Sequence, residues 1–202
     1  MESIIISNFI KIQTANLHYL EAGKPQDSPI VFLHGASFSA QTWKDLGTLK
    51  RFSHQGYRTI ALDLPGYGKS DRIPNYQAEI LPKLFEKLSL TGAILVSPSM
   101  SGTYSLPFII DHREQLQGFV AVAPVGIMKM ATRLEGLPLP TLAIWGSEDQ
   151  IVPLDHADQL VEMVPKAQKI VLPKVGHACY MKATSKFHEA LLEFIQTTLQ
   201  TE

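Results

Sequence analysis

The chain has 202 residues, of which 45% are hydrophobic and 18% charged, and its formal net charge is -1 at pH 7. This suits one compact domain spanning residues 1–202, with a sizeable core, and excludes a disordered chain. Interspersed charges of both signs give no field for nucleic acid or an anionic membrane surface, and the single cysteine, Cys179, precludes an intrachain disulfide.

The N-terminus, Met1 to Ile6, lacks a basic leader region, and no apolar stretch is long enough to span a bilayer. The expectation is a cytoplasmic monomer without membrane or nucleic-acid partners. Ile4 to Leu20 reads as two strands pairing at a sheet edge. Pro29 to Leu33 is a continuous apolar strand ending at His34-Gly35, and a helix is predicted over Thr42 to Phe52. The strand Tyr57 to Leu62 runs into a loop dense in turn residues, Asp63-Leu64-Pro65-Gly66-Tyr67-Gly68-Lys69-Ser70.

A helix over Gln77 to Leu88 precedes the strand Ala93 to Val96, and another follows from Met100 to His112, with a kink expected at Pro107. Further strands fit Gly118 to Ala123, Thr141 to Trp145 and Lys169 to Leu172, with a helix near Leu154 to Met163. Phe187, Leu191, Phe194, Ile195 and Leu199 share one face of a closing helix. Buried strands alternating with helices predict an α/β fold: a mostly parallel twisted sheet, helices on both faces and antiparallel edge strands at the N-terminus. In such sheets functional groups collect beyond the carboxyl ends of the strands, where His34-Gly35, Asp63, Ser99, Asp149 and His177 all fall.

Ser97-Pro98-Ser99-Met100-Ser101 lies where a strand turns into a helix. A nucleophile elbow there strains its central residue and needs small residues two positions before and after, which Ser97 and Ser101 supply. The usual pattern is G-x-S-x-G, and the competing reading is a serine-rich helix cap. Serine becomes nucleophilic when a base takes its proton and an acid holds that base, in the chain order nucleophile, acid, histidine. Asp149, after the strand Thr141 to Trp145, and His177, after the last strand, satisfy that order; Glu148 and Asp155 compete for the acid role. The developing oxyanion needs two donors, for which the backbone N–H groups of Ala36 and Met100 are placed. His34 shapes that loop rather than reacting.

Cys179, two residues past His177, lines the site, packs, or is an alternative nucleophile; packing is favoured because no elbow surrounds it. Gly66-Tyr67-Gly68-Lys69-Ser70 mimics the end of a phosphate-binding loop, but Asp63 stands where the first glycine belongs. The seven histidines lack the paired spacing of metal sites, so no metal is expected.

The chain resembles the α/β-hydrolase superfamily through Leu33-His34-Gly35, Asp63 to Ser70 and Gly176-His177. Ser97 to Gly102, then Tyr104-Ser105-Leu106-Pro107-Phe108 and Gly176-His177-Ala178-Cys179-Tyr180, are similar to the small α/β-hydrolase domain-containing protein 14 family, which carries a Ser-x-Ser-x-Ser elbow. The resemblance implies Ser99 as nucleophile, Asp149 as acid and His177 as base. It also implies short-chain ester hydrolysis or transfer of an acyl group from acetylated lysine, with no required cofactor and coenzyme A as a candidate acceptor. Only a short connection separates Ala123 from Thr141, where many relatives insert a cap, so the site should be open to a small acyl substrate or an acylated side chain. Met128 and Met130 are either a flexible rim to that site or packing residues. A non-catalytic binding module on the same scaffold is the alternative; a second enzymatic rival is carbon–carbon or carbon–halogen cleavage on the same fold, of which the halide chemistry uses an Asp at the elbow and is disfavoured by Ser99.

Overall fold

The apolar runs become strands because an extended chain sends successive side chains to opposite faces, and here helices cover both. A computed structural model describes residues 4–73 and 77–199; Met1 to Ser3, part of the N-terminus read above, lie outside that range. β1 (Ile6–Ile12) and β2 (Ala15–Ala22) form the expected antiparallel hairpin. β3 (Ser28–Phe32), β4 (Tyr57–Leu62), β5 (Ala93–Pro98), β6 (Leu116–Val122), β7 (Thr141–Gly146) and β8 (Ala167–Leu172) pair in parallel. The eight strands make one sheet in the order β1-β2-β4-β3-β5-β6-β7-β8, with β2 antiparallel to β4. β3 is thus flanked by β4 on one side and β5 on the other, and the strand order reverses there. Beyond the carboxyl ends of β3 and β5 a crevice opens, the usual place for a ligand in such sheets.

α1 (Ala40–Asp45), α2 (Thr48–Ser53), α7 (Cys179–Lys182) and α8 (Thr184–Leu199) cover one face. α3 (Gln77–Leu88), α4 (Gly102–Asp111), α5 (Ala131–Leu134) and α6 (Asp155–Met163) cover the other. The division follows the pleat: Val31 and Leu95 point to the α3–α6 layer, whereas Ile30, Phe32, Ile94 and Val96 point to the layer of α1 and α8. Both kinds are buried, which is why these strands show no alternation of apolar and polar residues.

The single helix expected over Thr42 to Phe52 is two short ones. Gly47, at φ +71, breaks the run in a conformation that costs glycine little, and the chain redirects into α2. The helix expected from Met100 starts instead as a 3-10 turn, Ser99–Ser101, and becomes regular at Gly102.

Trp43 on α1 ties packing to the site. It is fully buried, stacks on Tyr180 at 4.9 Å and packs against Phe32 at the same centroid distance. Its indole N–H donates to the carbonyl oxygen of Leu33 at 2.7 Å, fixing the chain one residue before His34.

Between β6 and β7 the chain makes only a 3-10 turn, Met128–Met130, and α5. Ile127, Leu134, Leu137 and Leu139 are buried in the α3–α6 layer, so this segment packs into the core instead of rising as a cap. Among the described residues, no helix is long and apolar enough to cross a membrane.

Candidate active site

Ser99 is the first residue past β5, at φ +54, a left-handed conformation in which a serine is strained. Surrounding packing holds it there. The N–H of Val125 donates to the Ser99 carbonyl at 2.9 Å, and a methyl added to Gly102 would overlap the Val125 carbonyl oxygen. The turn can close only because Gly102 lets this backbone approach.

The small flanks carry a hydrogen-bond chain. Ser101 Oγ–H donates to the Pro98 carbonyl at 2.7 Å, so in the 2.9 Å contact of Ser97 with Ser101 the proton comes from Ser97. Ser105 must then donate to Ser97 across 2.6 Å. All three serines are fully buried and their hydroxyls satisfy one another under the elbow. Ser105 was absent from the sequence reading of the site, although its position four residues after Ser101, on the same face of a helix, is a usable signal.

The acid and the histidine arrive on two loops that are zipped together. Ser147 N–H bonds the Leu172 carbonyl at 2.9 Å, Glu148 N–H the Val175 carbonyl at 3.0 Å, and Lys174 N–H the Ser147 hydroxyl at 2.9 Å. A side chain at Gly146 would overlap the carbonyl oxygens of Val175 and Gly176, so glycine there permits the approach. The result places Asp149 Oδ2 2.8 Å from His177 Nδ1 and His177 Nε2 2.7 Å from Ser99 Oγ. Asp149 Oδ1 accepts from the N–H groups of Ile151 and Val152 at 2.8 and 3.0 Å. These bonds orient a side chain with no solvent exposure and hold it as an acceptor toward the ring. Glu148 is exposed, and Asp155 opens α6; the carboxylate bonded to His177 is that of Asp149.

Gly35, Ala36 and Phe38 from the loop after β3 meet Ser99, His177, Val122, Ile151 and Tyr180 around a cleft of about 200 Å³. Ala36 therefore lines the cleft together with Ser99, and Met100, the next residue after Ser99, lines a second groove with Tyr67 and Tyr104. No residue of the β6–β7 connection lines the cleft. Met130 packs against the core, Met128 is exposed, and neither lines the cleft.

Cys179 is fully buried in α7, and desolvation, with the Asp149 charge adding to it, pushes its thiol up to about 12. A thiol protonated at neutral pH is a packing group, not a nucleophile. The loop resembling a phosphate cradle wraps a carboxylate instead. Asp63 accepts from Ala40 N–H at 2.6 Å, Lys69 N–H at 2.9 Å and His18 Nδ1 at 2.7 Å, filling the space an anion would need. Among the described residues no group of three or more His, Cys, Asp or Glu is arranged to hold a metal ion.

Comparison with known proteins agrees with this architecture. The family model described as the alpha/beta hydrolase fold matches residues 28–138. A structure from Thermoplasma acidophilum described as a "predicted CIB-like hydrolase" superposes with a TM-score of 0.92 at 20% identity, covering 96% of this chain and 99% of that one. Mouse ABHD14A is 38% identical over 172 residues, 82% of this chain and 69% of its own length. The human protein named "Putative protein-lysine deacylase ABHD14B" is 36% identical over 201 residues, 93% of each chain. The chain belongs to the α/β-hydrolase superfamily and, within it, to the ABHD14 family.

Proposed function

We propose that this protein is a serine hydrolase or acyltransferase acting on small acyl groups through an acyl-Ser99 intermediate. The observation that carries the reading is the hydrogen-bonded series Ser99 Oγ, His177 Nε2, His177 Nδ1 and Asp149 Oδ2, with its links of 2.7 and 2.8 Å. Asp149 holds the Nδ1 proton, which leaves the Nε2 lone pair free to take the Ser99 proton. Ser99 Oγ then bonds the acyl carbon while the Ala36 and Met100 N–H groups receive the oxyanion. His177 returns the proton to the departing alcohol or amine as its bond to the acyl carbon breaks. In the second half His177 takes a proton from the acceptor, which attacks the acyl carbon, and Ser99 recovers its proton.

A cleft of about 200 Å³ with apolar walls at Val122, Ile151 and Phe38 suits a short acyl chain. The absence of a cap segment from its lining leaves room for an acylated lysine on a larger partner. The name of the human relative, "Putative protein-lysine deacylase ABHD14B", supports that substrate class. Water and the thiol of coenzyme A are the two acceptors to be compared.

The test is intact-mass analysis of the wild-type protein and Ser99→Ala after brief exposure to an activated acetyl ester, with and without coenzyme A. The expected result is one acetyl group on the wild type, none on the variant, and faster loss of the acetyl with coenzyme A if it is the acceptor. Acetyl loading or fluorophosphonate labelling that persists in a folded Ser99→Ala protein would place the nucleophile elsewhere.

A further inference from the structure

We propose that His34 is a positioning residue of this reaction: its ring, neutral and protonated on Nδ1, orients the Gly35–Ala36 peptide so that the Ala36 N–H faces the oxyanion formed at Ser99. The proposal rests on the acyl-Ser99 reading above and extends it to a buried histidine that takes no part in the proton transfers.

Both ring nitrogens of His34 have backbone partners of fixed polarity. Nδ1 lies 2.8 Å from the Gly35 carbonyl oxygen, and the N–H of Leu64 lies 2.9 Å from Nε2. A carbonyl can only accept and a backbone amide can only donate. Nδ1 therefore carries the proton and Nε2 presents its lone pair. An imidazolium would lose the Leu64 bond, and the opposite tautomer would lose both. The ring is fully buried, with Tyr67 packed edge-on at 5.1 Å, so water cannot replace either partner.

The consequence falls on the peptide unit whose oxygen is held. The Gly35 oxygen takes the His34 proton and also the N–H of Phe38 at 3.1 Å. In a trans peptide, the form of every bond among the described residues, C=O and N–H point to opposite sides. Two donors anchoring the Gly35 oxygen thereby set the direction of the Ala36 N–H. Gly35 lies against the nucleophile: a methyl placed on it would sit 3.4 Å from Ser99 Cβ and 3.8 Å from Ser99 Oγ. Donors on the carbonyl also polarise the amide and make its N–H a stronger donor. The clamp is anchored in turn, because Leu64 follows Asp63, whose carboxylate binds Ala40, Lys69 and His18.

Two substitutions separate positioning from packing. His34→Asn retains a donor where Nδ1 stands and loses the acceptor for Leu64; His34→Gln reaches the Leu64 N–H and loses the donor to Gly35. With p-nitrophenyl acetate, His34→Asn should keep kcat within about threefold of wild type, and His34→Gln should lower it roughly 10²-fold with KM within about twofold. Equal losses in both variants, tracking their melting temperatures, or a wild-type kcat in His34→Gln, would overturn the proposal. Should the variants not fold, two-bond proton–nitrogen spectra of histidine-labelled wild-type protein decide it: an Nδ1-protonated neutral His34 supports it, and any other protonation state overturns it. A wild-type protein that never loads an acyl group on Ser99 removes the parent reading and this one together. Normal acyl-Ser99 loading with an indifferent His34→Gln removes this one alone.

Discussion

His177 Nε2 lies 2.7 Å from Ser99 Oγ although 78 residues separate them in the chain. The contact joins a loop after β8 to the turn after β5, two strands that are not neighbours in the sheet. Everything that holds those two loops at one height is therefore part of the site.

Asp149→Asn is expected to leave the fold intact, because an amide oxygen can still accept from Ile151 and Val152. It removes the acceptor that fixes the Nδ1 proton of His177. The wrong tautomer then faces Ser99, and kcat on an activated ester should fall by about 10⁴ while the melting temperature stays near wild type. A decrease of less than tenfold would give the acid role to another group.

Gly146→Ala tests the zipped loops. The added methyl overlaps the Val175 and Gly176 carbonyls and must push the histidine loop away from the acid loop. Activity should drop with a loss of stability of about 1–3 kcal/mol, read by urea denaturation. Full activity would show that the loops move without separating Asp149 from His177.

Cys179 should resist iodoacetamide in the folded protein at pH 8, because its buried thiol is held protonated, and react once the chain is denatured. Activity should survive the reagent. Rapid alkylation of the native protein with loss of activity would return Cys179 to the list of nucleophiles.

His188 predicts how stability responds to acid. It is buried, bonded to Thr48 Oγ1 at 2.9 Å, and desolvation, with Arg51 nearby, lowers its pKa from 6.5 to about 4. Between those values the unfolded chain binds the proton that the folded chain refuses. This group's contribution is complete above pH 6.5 and is lost as pH falls toward about 4. The urea midpoint should decrease across that window, and His188→Gln should flatten the decrease. An unchanged slope in the variant would assign the acid sensitivity to other groups.

Much of the fold was legible from the chain alone. Runs such as Pro29 to Leu33 and Ala93 to Val96 have no polar face, so they can only be strands covered on both sides. Helix boundaries were less legible where a backbone angle decided them, as at Gly47 and at Ser99. The order Ser99, Asp149, His177 was readable because strand ends mark where loops must cluster. The loop-shaping role of His34 and the packing role of Cys179 were also readable; the hydrogen-bond partners of the His34 ring and the serine chain through Ser105 were not, since each depends on where a side chain points.

The sequence by itself determined the strand and helix alternation, the residue types at the strand ends and their order, because periodicity and turn chemistry are local properties of a chain. Tertiary structure alone decided which polar groups meet. It set Asp149, rather than Glu148, against His177 by closing the Gly146 and Val175 backbones together, turned the Ser97 and Ser101 hydroxyls inward, and seated the His34 ring between the Gly35 carbonyl and the Leu64 N–H. Hydrogen bonds require donor and acceptor within about 3 Å, and only the packed chain sets such distances between residues far apart in sequence.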